Sequence, residues 1–147
     1  MSIATTNAIY TAATGATALT ALLGTGPGGV TAFFNARRLQ TAAVYPQVTY
    51  RESDLVPVPG FFAGGGYVDR EIYDFEVWVN DPGSTSIDAI RLQLDALFHN
   101  TTLSLVTPTK NFNYWCEREG GSRPDNYDPL TKSYFGLYRY GFITGQG

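Results

Sequence analysis

The sequence has very few of the residues on which metal sites, disulfides and many enzyme sites depend. Among 147 residues there is one cysteine, Cys116, and one histidine, His99. A lone cysteine forms no intrachain disulfide, and structural zinc sites need clustered Cys and His ligands. The sequence therefore predicts a non-enzymatic protein without metal or cofactor. A Cys116–His99 nucleophilic pair is the formal alternative, and nothing in their spacing supports it.

Charge is scarce as well. Charged residues make up 16% of the chain and its net charge is −3, against about 25% charged residues in typical globular domains. There is no run of Lys or Arg, so no basic surface is expected to attract nucleic acid. No secretory signal and no apolar run of about 18 residues is visible, so we expect no membrane contact.

Aromatic residues are plentiful by contrast, with 10 Tyr and 9 Phe. Few charges and many hydroxyl groups predict a surface of the kind found at protein interfaces, where Tyr and Arg are enriched. The alternative is a β-rich domain, because aromatic residues and Thr also fit pleated sheets. The two interpretations are compatible.

Hydrophobic periodicity predicts a single α+β domain over residues 1–147. Apolar residues at helical spacing indicate helices at Thr5–Leu23, which Gly15 can break into two pieces, and at Thr85–His99. Strands are predicted at Val30–Phe34, Gln47–Ser53, Val68–Asn80, Phe112–Glu119 and Lys132–Ile143. Long loops are predicted at Leu55–Gly66 and Gly120–Asp128.

Because the strands follow one another without crossover helices, we expect a mostly antiparallel sheet with both helices on one face. The strand Val68–Asn80 alternates with a period of two. Its polar side places Asp74, Glu76 and Trp78 on the opposite, exposed face, which is free for solvent or a partner. Asp74 and Glu76 could also form a carboxylate pair for acid–base chemistry, although exposed strand carboxylates are usually just solvated.

Two further pairs are candidate contact residues. Phe61 and Phe62 are adjacent in the loop Leu55–Gly66, where two exposed phenylalanines are unfavourable in a free monomer. They either fold back onto the domain or meet a partner. Arg37 and Arg38 are a solvated pair by default, with contact to an acidic partner surface as the alternative.

Two loop patterns are candidate ligand sites. The glycines at 64–66 lack the following Lys-Ser/Thr of a phosphate loop. Asp125, Asn126 and Asp128 do not match the spacing of a calcium loop. Both patterns predict turns.

Three segments, in order, are typical of one family. They are Ala18–Gly24 (ALTALLG), Tyr45–Tyr50 (YPQVTY), and Tyr73–Val79 (YDFEVWV) with the helix around Ile90–Leu97. Together they make the chain similar to the tail terminator, or tail completion, proteins of long-tailed bacteriophages. The loops 55–66 and 120–129 look longer than is usual in that family.

The resemblance implies a homo-hexameric ring at the head-proximal end of the tail tube, assembled in the host cytoplasm and carried in the virion. Such a ring ends tube polymerisation and joins the tail to the head–tail connector, while DNA passes through its lumen without specific binding. The alternatives are another neck or tail-tube protein of the same particle, or a ligand-binding α+β domain whose pocket is formed by the tyrosines of the last strand. A nucleic-acid binder is the weakest alternative.

Overall fold

The computed structural model describes most of the chain. The described residues are 3–35, 44–58, 68–80, 85–105, 111–121, 126–130 and 132–146. In this part the helices are α1 (Ile3–Gly15), α2 (Thr17–Thr20) and α3 (Thr85–Phe98), with a 3-10 turn at Pro27–Gly29. The strands are β1 (Phe33–Asn35), β2 (Gln47–Val58), β3 (Val68–Val79), β4 (Asn111–Gly121), β5 (Asn126–Asp128) and β6 (Ser133–Gln146).

The described strands form one sheet in the order β1-β2-β3-β6-β4, with β5 also paired to β6. Only β1 and β2 run parallel in this part of the chain, and the other pairs are antiparallel. The prediction of an α+β fold with a mostly antiparallel sheet is confirmed. Strand β4 pairs with the C-terminal part of β6 and β5 with its first residues, so together they follow one edge of the sheet.

The core lies between the sheet and the helices α1 and α3, both on one face as predicted. Phe75 on β3 is fully buried, and its ring lies 5.4 Å from Phe98 of α3 and 5.7 Å from Tyr50 of β2 (centroid distances). Thr6 of α1 exchanges a 3.0 Å hydrogen bond with the Tyr73 hydroxyl on the same face. The tyrosines of β6 fill this core: Tyr138 and Tyr140 are buried, so they do not line the open aromatic pocket of the ligand-binding alternative.

The first helix breaks where its sequence predicts. Helix α1 ends at Gly15, and Ala16 is extended before α2 begins. The helical segment then ends at Thr20, earlier than the predicted Leu23. Gly24 is required for close approach, because a Cβ there would stand 2.6 Å from Val44 Cγ1 and 2.9 Å from the Tyr45 carbonyl oxygen.

Two predicted loops are partly strand. Strand β2 runs to Val58, and Pro57 pairs with Asp69. Proline is tolerated there because β1 pairs only with residues 48–50, so this part of β2 is an edge among the described strands. The predicted loop Gly120–Asp128 contains β5, whose Tyr127 packs against Tyr134 at a ring-centroid distance of 4.9 Å.

Candidate interaction surface

The sheet has a second face, opposite α1 and α3, which we call the outer face. On β3 it carries Arg70, Ile72, Asp74, Glu76 and Trp78, because these alternate with the core residues. The strand registers extend it to Gln47, Thr49, Arg51 and Val56 on β2, Phe135, Leu137, Arg139 and Ile143 on β6, and Trp115 and Glu117 on β4. The predicted common face of Asp74, Glu76 and Trp78 is therefore confirmed, whereas the exposure predicted for it is wrong at two positions.

Asp74 is the first of those positions, since it is only 5% exposed. Arg139 lies opposite it on β6 and donates from Nε to Asp74 Oδ1 at 2.8 Å. Its Nη2 reaches Oδ2 at 3.5 Å. Arg51 is the cross-strand neighbour on β2. The short carboxylate is covered because longer side chains on both neighbouring strands surround it, and Asp74 is not available as an acid–base partner of Glu76.

Trp78 is the second position, with 7% exposure. Its ring stacks on Phe135 of β6 at a centroid distance of 4.8 Å. The neighbouring Gln47 and Thr49 are buried too. Within the described residues, Thr49 Oγ1 and Arg51 Nε are buried without a hydrogen-bond partner. This end of the outer face is therefore largely withdrawn from solvent in the single chain.

Glu76 lies between these two residues and is partly buried. Burial raises the pKa of its carboxyl, while the positive charge of Arg51 and the Trp78 indole act in the opposite direction. Asp74 adds a smaller upward effect on this pKa. The Glu76 carboxyl therefore interacts with the charges of Arg51 on β2 and Asp74 on β3, and these contacts give it a structural role in the sheet.

The other end of the outer face is more open. Arg70 pairs with Glu119, whose side chain crosses over Gly141. Val56 and Trp115 are 38% and 40% exposed at opposite edges of the sheet. Sequence reasoning did not single out either residue, although the alternation within β4 placed Trp115 on one side of that strand.

Phe61, Phe62, Arg37 and Arg38 lie outside the described residues. Their roles as contact residues stay predictions from the sequence.

On the helix side, a buried carboxyl joins α1 to the sheet. Glu71 is 2% exposed and accepts hydrogen bonds from Thr5 Oγ1 at 2.5 Å and Thr144 Oγ1 at 3.0 Å. Burial raises the pKa of Glu71, the two threonine hydrogen bonds lower it, and the charge of Glu52 raises it again. These contacts fix the start of α1 on β3 and β6.

A second polar cluster holds α3. Asp95 Oδ1 accepts from the Tyr140 hydroxyl at 2.6 Å. Its Oδ2 accepts from Arg91 Nη1 at 3.2 Å and Arg118 Nη1 at 3.1 Å. One carboxylate therefore connects α3 to β6 and β4.

The two residues of the formal nucleophilic pair have other partners. Cys116 is buried, its thiol donates to Asn113 Oδ1 at 3.1 Å, and burial raises its pKa to about 12. The backbone N–H of Arg118 donates to His99 Nδ1 at 3.0 Å. A thiol with so high a pKa is a poor nucleophile at neutral pH.

The metal interpretation gains no support in the part of the chain that is described. Those residues contain no group of three or more His, Cys, Asp or Glu side chains arranged to hold a metal ion. Asp128 Oδ1 accepts from the Leu130 backbone N–H at 2.9 Å, which is a turn contact.

None of the described helices is both long and apolar enough to cross a bilayer.

Comparison with known proteins identifies the fold. No protein-family model matches the sequence, and neither does any curated protein. Among solved structures, a chain of the virion of a native gene transfer agent (GTA) particle matches with a TM-score of 0.74. The match covers 98% of this chain and 96% of that chain at 13% sequence identity. The two chains share a fold over nearly their whole lengths.

Proposed function

We propose that this protein is a structural component of a phage-like particle, and specifically a tail terminator. In this role a homo-hexameric ring caps the head-proximal end of the tail tube, ends tube polymerisation and contacts the head–tail connector. The observation that carries the proposal is the nearly full-length fold match to a chain of a GTA virion. The ordered sequence motifs that resemble tail terminators supply the finer assignment.

The chemistry of the described residues supports a structural role. Two carboxylates of the described residues, one on each side of the sheet, are engaged in structural contacts: Asp74 with Arg139 across two strands, and Asp95 with Tyr140 between α3 and the sheet. The protein acts by docking to copies of itself and to neighbouring virion proteins, without a cofactor or a catalytic group. Its net charge of −3 fits a lumen through which DNA passes without being held, because like charge opposes tight binding.

The test is to purify the protein and examine it by native mass spectrometry and negative-stain electron microscopy. A terminator gives closed rings of six copies, and added to polymerising tube subunits it caps one tube end and limits tube length. Long tubes formed by the protein alone would instead identify it as a tube protein. Monomers at all concentrations, with no effect on tube length, would refute both roles.

A further inference from the structure

We propose that Asp54 and Pro57 protect the edge of β2 against pairing with a strand of a second copy of this chain. We call residues 51–58 the β2 edge; they follow the part of β2 that pairs with β1. The inference concerns a contact that the protein avoids, and it does not depend on the ring proposed above.

The β2 edge has a neighbouring strand on one side only in the described part of the chain. Strand β1 pairs with Val48, Thr49 and Tyr50 and reaches no further, while β3 pairs with β2 as far as Val58. An open edge presents backbone N–H and C=O groups that can pair with another chain. A segment of this length is therefore a template for a further strand unless something blocks it.

The side chains of the β2 edge make such pairing favourable. Leu55 is 47% exposed and Val56 38%, and exposed apolar residues with β propensity are typical of segments that pair between chains. The partner of Leu55 on β3 is Glu71, on the helix side, and the partner of Val56 is Arg70, on the outer face. An added strand would therefore gain apolar contacts on both faces of the sheet.

The register of β2 shows which backbone N–H groups face away from β3. The Val48 N–H donates to the Ala32 carbonyl oxygen at 2.9 Å, on the side of β1. N–H groups with this direction recur at every second residue of an antiparallel strand. The irregularity between Glu52 and Asp54 inserts one residue, which shifts the outward positions from even to odd numbers. The backbone at positions 55 and 57 therefore faces the open side.

Neither of these two positions offers a donor to another chain. The Leu55 N–H donates to Asp54 Oδ1 at 2.8 Å, so it is already engaged by a side chain of its own strand. Pro57 has no N–H. The exposed charge of Asp54 is a further obstacle, because an added strand would have to lie beside it. Two successive outward donors are thus removed in the segment whose side chains favour pairing.

Two other edges in the described part of the sheet are protected differently. Strand β1 is three residues long, Phe33–Asn35, and very short edge strands are poor templates. At β4 the chain covers part of its own edge. The Cys116 N–H donates to the Thr101 carbonyl oxygen and the Asn100 N–H to the Cys116 carbonyl oxygen, both at 2.8 Å. The exposed residues of the β2 edge have no such cover, so protection there falls to the edge itself.

The decisive experiment compares two double variants of equal net charge. Asp54→Ala with Pro57→Ala restores both donors, because position 54 loses its acceptor and position 57 gains an N–H. Asp54→Asn with Pro57→Ala is the matched control, since the amide oxygen of asparagine can still accept from the Leu55 N–H. Concentration-dependent sedimentation measures association, and circular dichroism with urea unfolding confirms that each variant is folded.

The first double variant should associate at about tenfold lower protein concentration than the control, because one more inter-chain backbone hydrogen bond can form per edge. Amide hydrogen exchange across residues 51–58 should slow in it as concentration rises, and slow less in the control. Association of both double variants at the same concentration refutes the role given to the Asp54 carboxylate. A first double variant that associates no more than the original chain overturns the whole proposal.

A third variant tests whether the donor itself is the cause. Adding Leu55→Pro to the first double variant removes the N–H at position 55 again, so association should fall back to the level of the control. Persistent association of the folded triple variant refutes donor removal as the mechanism. If the first double variant does not fold, Asp54→Ala and Asp54→Asn give the same comparison as single variants, and equal association of these two refutes the proposal.

These results are independent of the ring. Association of each variant is measured relative to the assembly state of the original chain, whether that state is a monomer or a closed ring. An original chain that stays monomeric refutes the proposed ring and leaves the edge comparison intact. Unchanged association of the variants refutes edge protection and leaves the ring intact.

Discussion

The Tyr140 hydroxyl donates a 2.6 Å hydrogen bond to Asp95 Oδ1, and this contact joins α3 to the central strand β6. The same carboxylate also forms salt bridges with Arg91 and Arg118. A helix that covers a sheet mainly through Ile87, Leu94 and Phe98 can slide along its axis. A partly buried hydrogen bond to one fixed hydroxyl sets the position of the helix along that axis.

Removing this carboxylate should therefore destabilise the fold. For Asp95→Ala we expect a loss of about 1–3 kcal/mol in the free energy of unfolding, because the buried Tyr140 hydroxyl is left without its acceptor. Asp88→Ala is the control, since Asp88 contacts Arg91 at 3.6 Å and its side chain is 46% exposed. The control should cost less than about 1 kcal/mol. Urea unfolding measures both, and equal losses would contradict the role given to Asp95.

The buried Glu71 predicts how stability depends on pH. Its pKa is raised in the folded chain, chiefly by burial, so the folded state binds more protons than the unfolded state. The stabilisation that Glu71 contributes is fully present at pH values below its pKa in the unfolded chain. It is lost as pH rises through its higher pKa in the folded chain, and it amounts to about 1.4 kcal/mol for each pH unit between the two pKa values. In Glu71→Gln this contribution is absent.

Urea unfolding of the original chain and of Glu71→Gln across the acidic to neutral range tests this. The free-energy difference between them should move in favour of the original chain as pH falls. Glu76→Gln is measured in parallel, because the pKa of Glu76 is also raised by burial. A difference that moves the other way with pH would show that the hydrogen bonds from Thr5 and Thr144 outweigh burial.

The two tryptophans should differ in their access to solvent. Trp78 is 7% exposed and stacked on Phe135, whereas Trp115 is 40% exposed. Acrylamide should therefore quench the fluorescence of Trp115→Phe, which retains Trp78, several times less than that of Trp78→Phe. The comparison is made on unassembled protein at low concentration. Equal quenching would contradict the burial of Trp78.

Cys116 should be inert in the folded protein. Its thiol is buried and donates a hydrogen bond to Asn113 Oδ1, and burial raises its pKa to about 12. A thiol-specific disulfide reagent at pH 8 should react only when denaturant unfolds the chain. Rapid reaction under native conditions would mean that the segment carrying Cys116 opens easily.

The features that follow from local pattern were predictable. The alternation of β3 identified its core side, Tyr73, Phe75 and Val77, and glycine propensity placed the helix break at Gly15. These depend on neighbours within a few positions in the chain.

The features that depend on partners far apart in the sequence were not predictable from local pattern. Whether Asp74 is exposed depends on Arg139, 65 positions away in the sequence, and the burial of Trp78 depends on Phe135. The outer face places Val56 level with Trp115 only through three strand registers, Val56–Arg70, Arg70–Ile143 and Ile143–Trp115, which no single strand encodes. Pro57 predicts a loop locally and is tolerated in β2 only because that part of the strand lies at an edge.

Close packing of α3 on β6 gives the last prediction. Gly136 lies under α3, and a Cβ there would stand 3.0 Å from Ile87 Cγ2 and 3.0 Å from the Tyr138 hydroxyl oxygen. Gly136→Ala should therefore cost about 1–3 kcal/mol in the free energy of unfolding, because α3 or Tyr138 has to shift in a packed core. Gly120→Ala is the matched control, since a Cβ there meets nothing within 4 Å. The control should be neutral or more stable by up to about 1 kcal/mol, because alanine loses less backbone entropy than glycine on folding. If urea unfolding gives both variants the same stability, there is space for a methyl group between α3 and the sheet at Gly136, and the close contact of Gly136 with Ile87 and Tyr138 is wrong.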